Sequence, residues 1–183
     1  QWLSTTLLKQ ALAQSMHDAL TGLYNRAFYD AEIERLNHSR HYPVSVLVCD
    51  LNDLKKCNDK LGHGAGDLLL SRAASAMKAV FRKEDAACRT GGDEFAVFLP
   101  ETDENAAIRA VDRLREKITQ DNLAYQDLHL NLAIGWATCA AGEDLTGALR
   151  MAERCMYQNK EQMKKQDDIF KPASFKGYQS SVD

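Results

Sequence analysis

No apolar run in the 183 residues reaches the roughly 18 to 20 that span a bilayer, and no signal peptide stands at the start. A helical membrane span within this stretch is thereby excluded. Basic charge is not in excess: 23 Lys and Arg face 26 Asp and Glu, a formal net charge of −3, so no global positive field exists to hold a nucleic-acid polymer. A phosphate-bearing ligand would need a local site. The five cysteines, Cys49, Cys57, Cys88, Cys139 and Cys155, are scattered, odd in number and without CxxC spacing, which argues against a disulfide framework and a zinc site. A reducing cytoplasm is the expected compartment. No internal repeat is present, and the chain opens on Gln1 rather than methionine. We read it as a piece of a longer protein, which leaves room for a membrane anchor in the missing part.

What is present suits one globular unit, since a chain with 45% hydrophobic residues can bury a real core. Leu8, Leu12 and Met16 stand at helical spacing, predicting an N-terminal linker helix over 1–17, and Tyr29, Ile33 and Leu36 mark a second helix. The run Val44 to Cys49 reads as a buried strand that ends at Asp50. A polar stretch over 52–67 follows, then a helix carried by Leu69, Ala73, Ala76, Met77 and Val80. Short apolar arms around Gly91-Gly92 predict a hairpin with a tight type I′ turn, in which both glycines take positive φ. Ala107 to Ile118 forms the next helix, Leu128 to Trp136 alternates as a half-buried strand, and Leu145 to Met163 carries the last helix. The domain is expected over 18–166, and the tail over 167–183 loses periodicity. Alternating strands and helices interrupted by a hairpin predict an α+β fold: a central mixed, mostly antiparallel sheet flanked by helices.

Two acidic positions lie where such a sheet presents them to solvent, Asp50 past the buried strand and Asp93-Glu94 at the hairpin tip. Magnesium takes hard oxygen ligands, commonly one or two carboxylates completed by substrate phosphates and water, so this pattern points to a nucleotide-metal site. Acidic turns are more often merely solvated, and position alone does not decide between the two.

The stretch Arg89-Thr-Gly-Gly-Asp-Glu-Phe95 resembles, without substitution in its five defining letters, the signature of the GGDEF family of diguanylate cyclases. Further motifs follow in family order: Asp18-Ala-Leu-Thr-Gly-Leu-Tyr-Asn-Arg26, Asp50-Leu-Asn-Asp-Leu-Lys55 with Asn58-Asp59, and Gly62-His-Gly-Ala-Gly-Asp67. The resemblance implies a palm-like nucleotidyl-cyclase fold that condenses two GTP into cyclic di-GMP and two pyrophosphates. It further implies Mg²⁺ or Mn²⁺ held by Asp50, Asp93 and the Leu51 carbonyl, with Glu94 assisting the metal or the attacking hydroxyl. Asn58 and Asp67 match guanine-reading positions, Gly91 and Gly92 let backbone approach the nucleotide, and Lys55, Lys160 and Lys164 match triphosphate contacts.

Arg82-Lys-Glu-Asp85 stands at the offset of the family's inhibitory RxxD product site, with Arg113 on the following helix as a further partner. The resemblance also implies that each domain holds one GTP, so a homodimer is expected in catalysis, with an upstream sensor domain expected in the missing part and the N-terminal helix as the place where it would act. The chain departs from the family at Lys164, where arginine is usual, at Asn159, where a small residue is usual, and at Met163, where glycine is usual. Lysine keeps the charge but not the bidentate fork. The competing reading is a weak or inactive domain that senses GTP or cyclic di-GMP, and the presence of Asp50, Asp93 and Glu94 argues against it. A cyclase that prefers another nucleotide rests on the same Asn58 and Asp67.

Overall fold

The computed structural model describes residues 15–170. The expected linker helix over 1–17 and the tail over 167–183 therefore lie mostly outside the described residues.

Helix α1, Arg26–Asn37, begins where the Asn25 side chain accepts the Phe28 amide at 3.1 Å and so satisfies one of the helix's free donors. Strand β1, Val44–Leu51, is buried along its whole length. Two short-range features then depart from the sequence reading. The polar stretch is itself mostly helical, forming α2, Leu54–Leu61, and the following helix α3, His63–Val80, starts six residues before the first apolar position expected to carry it. Helix α2 fully buries none of its residues, and its apolar stripe is short: Leu54 and Cys57 pack half-buried against the core and Leu61 stays exposed, too little to stand out within a polar stretch. Gly62 separates the two helices at φ +84°, a left-handed conformation that glycine adopts without a side-chain penalty.

Strands β2, Ala86–Arg89, and β3, Glu94–Leu99, form the hairpin, and helix α4, Glu104–Ala124, is capped by the Asp103 carboxylate on the Ala106 amide at 2.8 Å. Strand β4, Leu132–Cys139, begins four residues later than expected. The preceding Leu128 and Leu130 are held as a loop instead, because Asn122 bonds both backbone groups of Leu130 and Arg72 donates to the Leu128 carbonyl. Helix α5, Leu145–Phe170, runs four residues past the predicted end of the domain.

The sheet order is β2-β3-β1-β4, and among the described residues every ladder is antiparallel and the parallel pairing is a single bridge between Tyr24 and Cys88 at the β2 edge. Helices cover both faces, which explains why β1 is a continuous apolar run rather than an alternating one. Leu47, Cys49 and Leu51 join Phe95, Val97 and Leu99 in one core beneath α3 and α4. Val44, Val46 and Val48 join Ala96 and Phe98 in a second core beneath α1 and α5. Burial pushes the Cys49 thiol up to about 12, so it stays protonated and packs as a small apolar group. The period-2 alternation puts Asp50, next on β1 after Cys49, on the α5 side of the sheet.

Candidate functional site

The register of the central ladder sets Asp50 of β1 opposite Glu94 of β3. One step on, the Leu51 amide donates to the Asp93 carbonyl at 2.8 Å, so the ladder brings Asp50, Leu51, Asp93 and Glu94 to one end of the sheet. Asp50 is 6% exposed. A carboxylate so buried requires a positive or donor partner, and Lys160 of α5 supplies it, with Nζ 2.6 Å from Oδ1.

The loop at the hairpin tip differs from the tight turn expected. Neither Gly91 nor Gly92 is among the positive-φ residues, so the turn is not type I′. It is a wider loop that closes on the Glu94 carbonyl through the Thr90 amide at 3.0 Å and the Gly91 amide at 3.4 Å. Arg89 holds its shape, donating from Nε to the Gly91 carbonyl at 3.2 Å and from Nη2 to the Gly92 carbonyl at 2.8 Å. A strand-end guanidinium that fixes two successive carbonyls replaces the backbone twist that a two-residue turn would have supplied. The two glycines serve differently. A Cβ on Gly91 would lie 2.8 Å from the Glu94 carboxylate, whereas one on Gly92 would meet nothing within 4 Å, leaving that backbone open to a ligand.

Arg89 also reaches Asp18, with Nη1 3.2 Å from Oδ1. Burial raises the pKa of the Asp18 carboxyl, but hydrogen bonds from the Thr21 hydroxyl and amide, together with Arg89, outweigh it and hold the group below its ordinary value. Asp18 and Arg89 lay within the recognised motifs without a role. The sequence signal for one was available in retrospect: an arginine immediately before a glycine-rich loop has carbonyls within reach of its fork.

Asn58 lies on α2 with a buried Oδ1 that has no hydrogen-bond partner among the described residues. Gly66 of α3 makes its position possible, since a Cβ there would stand 2.0 Å from that same oxygen. Asp67, one residue after Gly66, is exposed near the start of α3. A second orphaned oxygen, Asn52 Oδ1, lies next to the β1 end, where the Asn52 amide nitrogen donates to the Met163 sulfur at 3.6 Å. Sequence reasoning gave Asn52 no role. Lys55 is exposed on α2, and Lys164, one turn beyond Lys160, pairs with Glu161 at 3.2 Å rather than joining Asp50.

Arg82 and Asp85 lie in the turn after α3, where the Asp85 carboxylate accepts the Arg82 amide at 2.8 Å. Burial raises the Asp85 pKa, against the opposing pull of that hydrogen bond, Arg82 and Arg113, which places the α4 arginine within electrostatic reach. Beside them a cleft of about 330 Å³ is lined by Tyr24, Lys78, Phe81, Arg82, Lys83 and Asp85.

The donor set at the sheet end fits a hard divalent cation. Asp50, Asp93 and the Leu51 carbonyl offer oxygen only, and among the described residues no three His, Cys, Asp or Glu form a ready-made cage. Magnesium suits such a partial set because it keeps several waters and takes substrate phosphates.

Comparison with known proteins accords with this architecture. The family model described as "Diguanylate cyclase, GGDEF domain" matches residues 15–166. The chain is 32% identical over 178 residues to the diguanylate cyclase DosC of Escherichia coli, covering 91% of this chain and 38% of that protein. It is likewise 32% identical over 161 residues to the response regulator PleD of Caulobacter vibrioides, covering 84% of this chain and 36% of PleD. It thus spans under two-fifths of the length of either relative. In fold it resembles the coiled coil and GGDEF domain of DgcB from Caulobacter crescentus, solved in complex with c-di-GMP, with a TM-score of 0.78 at 23% identity over 86% of this chain and 87% of that one. With its signature loop on a four-stranded antiparallel sheet and a family match across most of its length, the chain belongs to the GGDEF family of diguanylate cyclase domains.

Proposed function

We propose that the chain condenses two molecules of GTP into cyclic di-GMP, releasing two pyrophosphates, between two copies of the domain. The observation that carries this reading is the ladder register: it sets Asp50 opposite Glu94 and ties Leu51 to Asp93, gathering carboxylates and a carbonyl beside Lys160. The identity of the relatives supports it.

In each of two equivalent steps the 3′-oxygen of one GTP bonds to the α-phosphorus of the other as the bond to pyrophosphate breaks. The 3′-hydroxyl proton passes to the Glu94 carboxylate and on to water. Asp50, Asp93 and the Leu51 carbonyl would hold Mg²⁺ or Mn²⁺, which when bound supplies neutralisation of the charge that develops on the phosphoryl oxygens. Gly92 leaves space for the triphosphate against the loop, Lys55, Lys160 and Lys164 grip it as point charges, and Asn58 with Asp67 reads guanine. Adenine, with its donor and acceptor reversed on that edge, would leave the buried Asn58 oxygen badly matched.

A domain that carries one guanine corner and one carboxylate cluster holds one substrate, so the ring closes only when two copies face each other. Arg82, Asp85 and Arg113, beside their cleft, would take the product and restrain activity. Arginine forks onto phosphate and stacks on a base, and the aspartate accepts from a guanine N–H edge.

The test is incubation with GTP and Mg²⁺, with product identified by mass, at low and high protein concentration and with ATP as competitor. The reading expects cyclic di-GMP, a rate that rises more than in proportion to protein, and little inhibition by ATP. No product at any concentration, with Glu94→Gln indistinguishable from the unaltered chain, would end it.

A further inference from the structure

We propose that Lys160 is a resident counter-cation on Asp50 that opposes a divalent ion binding alone and yields to one that arrives with a triphosphate. The proposal rests on the cyclase reading for the identity of the nucleotide.

The ammonium stands 2.6 Å from Asp50 Oδ1, and the two side chains are 26% and 8% exposed. This is not a loose surface pair. Helix α5 is fastened just before Lys160, where Asn159 Oδ1 accepts the Ile134 amide of β4 at 2.9 Å. Nearer its start the helix crosses Gly135 so closely that a Cβ there would lie 2.1 Å from both the Ala152 carbonyl oxygen and the Met156 nitrogen. Ala133, next to Ile134, is in turn the β4 partner of Asp50. Asp50, Ala133, Ile134, Asn159 and Lys160 thus close a short ring that presents the lysine to that carboxylate. Lys164 takes no part, being 61% exposed and paired with Glu161.

A divalent ion and an ammonium at one carboxylate repel each other in a site that water screens poorly. An ion arriving alone must work against Lys160 or displace it, and displacement leaves a half-buried ammonium without its partner. A triphosphate changes the balance, because its oxygens offer Lys160 a new anionic partner while the metal takes Asp50. Metal and nucleotide then bind with positive coupling, and each raises the other's affinity by the same factor. Lys160 acts as both the grip on phosphate and the guard on the metal carboxylate.

Titration of the full chain with Mn²⁺, read by electron paramagnetic resonance with and without 3′-deoxy-GTP, tests this without turnover. For the unaltered chain the analogue should tighten Mn²⁺ about tenfold or more, within the usual range of coupling between sites. In Lys160→Met, Mn²⁺ alone should bind about tenfold tighter and the coupling should largely vanish. Because that variant leaves Asp50 without a cation, its melting temperature should fall and should rise more on adding Mn²⁺ than that of the unaltered chain. Lys160→Gln keeps a donor without the charge and should titrate like Lys160→Met, so it decides the matter if Lys160→Met does not fold. Mn²⁺ affinity in these variants no tighter than in the unaltered chain, or coupling retained in them, overturns the proposal. Failure of the cyclase reading would show instead as missing product while the Mn²⁺ titration stood unchanged.

Discussion

Asp18 and Arg89, 71 positions apart, form an ion pair at 3.2 Å, and the same guanidinium holds the Gly91 and Gly92 carbonyls. The turn at the domain's entrance and the loop that carries Asp93 are therefore one mechanical unit. Arg89→Lys would keep the charge but can satisfy only part of this fork, so the loop loses its shape while the sheet stays intact. We expect kcat to fall about tenfold to a hundredfold, as displacement of a reacting group by about an ångström does, with little change in melting temperature. Steady-state kinetics beside a thermal melt checks this; unchanged kcat would show that the loop holds its form without the arginine.

The same pair predicts a pH dependence of stability. The Asp18 carboxyl is held below its ordinary value of 3.8, burial being outweighed by Thr21 and Arg89. A depressed carboxyl stabilises the fold above its unfolded value, and that contribution is lost as pH falls below 3.8 through the folded value. Asp85, raised by burial, works in the opposite direction and is common to both proteins compared. The stability difference between the unaltered chain and Asp18→Asn, from urea unfolding, should thus be larger at about pH 7 than at about pH 3. A gap of the same size at both would contradict a carboxyl held below its ordinary value by Thr21 and Arg89.

Three glycines should respond to alanine in three ways. In Gly135→Ala the new carbon meets helix backbone at 2.1 Å, which cannot move without lifting α5, so a loss of about 3 kcal/mol or more is expected. In Gly66→Ala it meets the Asn58 side chain at 2.0 Å, which can swing away; the fold should survive while GTP affinity and preference over ATP weaken about tenfold or more. In Gly91→Ala it meets only the end of Glu94 at 2.8 Å, so turnover should fall with stability nearly unchanged. Denaturant melts, nucleotide titration and initial rates separate the three, and equal destabilisation by all would refute this ordering.

These cases also show what the sequence made legible. The buried strand leading into Asp50 was readable as an unbroken run of apolar, β-branched residues, and the helices with apolar faces because each repeats its apolar residues at a fixed period. Helix α2 was not, since its eight residues offer only a short, half-buried apolar stripe at Leu54 and Cys57, and the Leu128 to Leu130 segment alternates like a strand yet is held as a loop by Asn122 and Arg72. Arg72 itself is 5% exposed, pairs with Asp121 at 2.7 Å and lies over the Tyr125 ring at 4.0 Å, a network that no local pattern announces. At the site, motif resemblance named the residues but not their company. That Lys160 sits on Asp50, that Arg89 shapes the loop and that Gly66 makes room for Asn58 are long-range contacts, visible only once the ladder register and the α5 crossing are known.

In the proposed reaction, ring closure depends on the carboxylates gathered by the β1–β3 register. Its most direct test is product formation from GTP and Mg²⁺ by the unaltered chain, Asp93→Asn and Glu94→Gln, each first shown to be folded and to bind GTP. We expect cyclic di-GMP from the unaltered chain and a loss of about a hundredfold or more in each variant. Variants that cyclise GTP at the unaltered rate would contradict it.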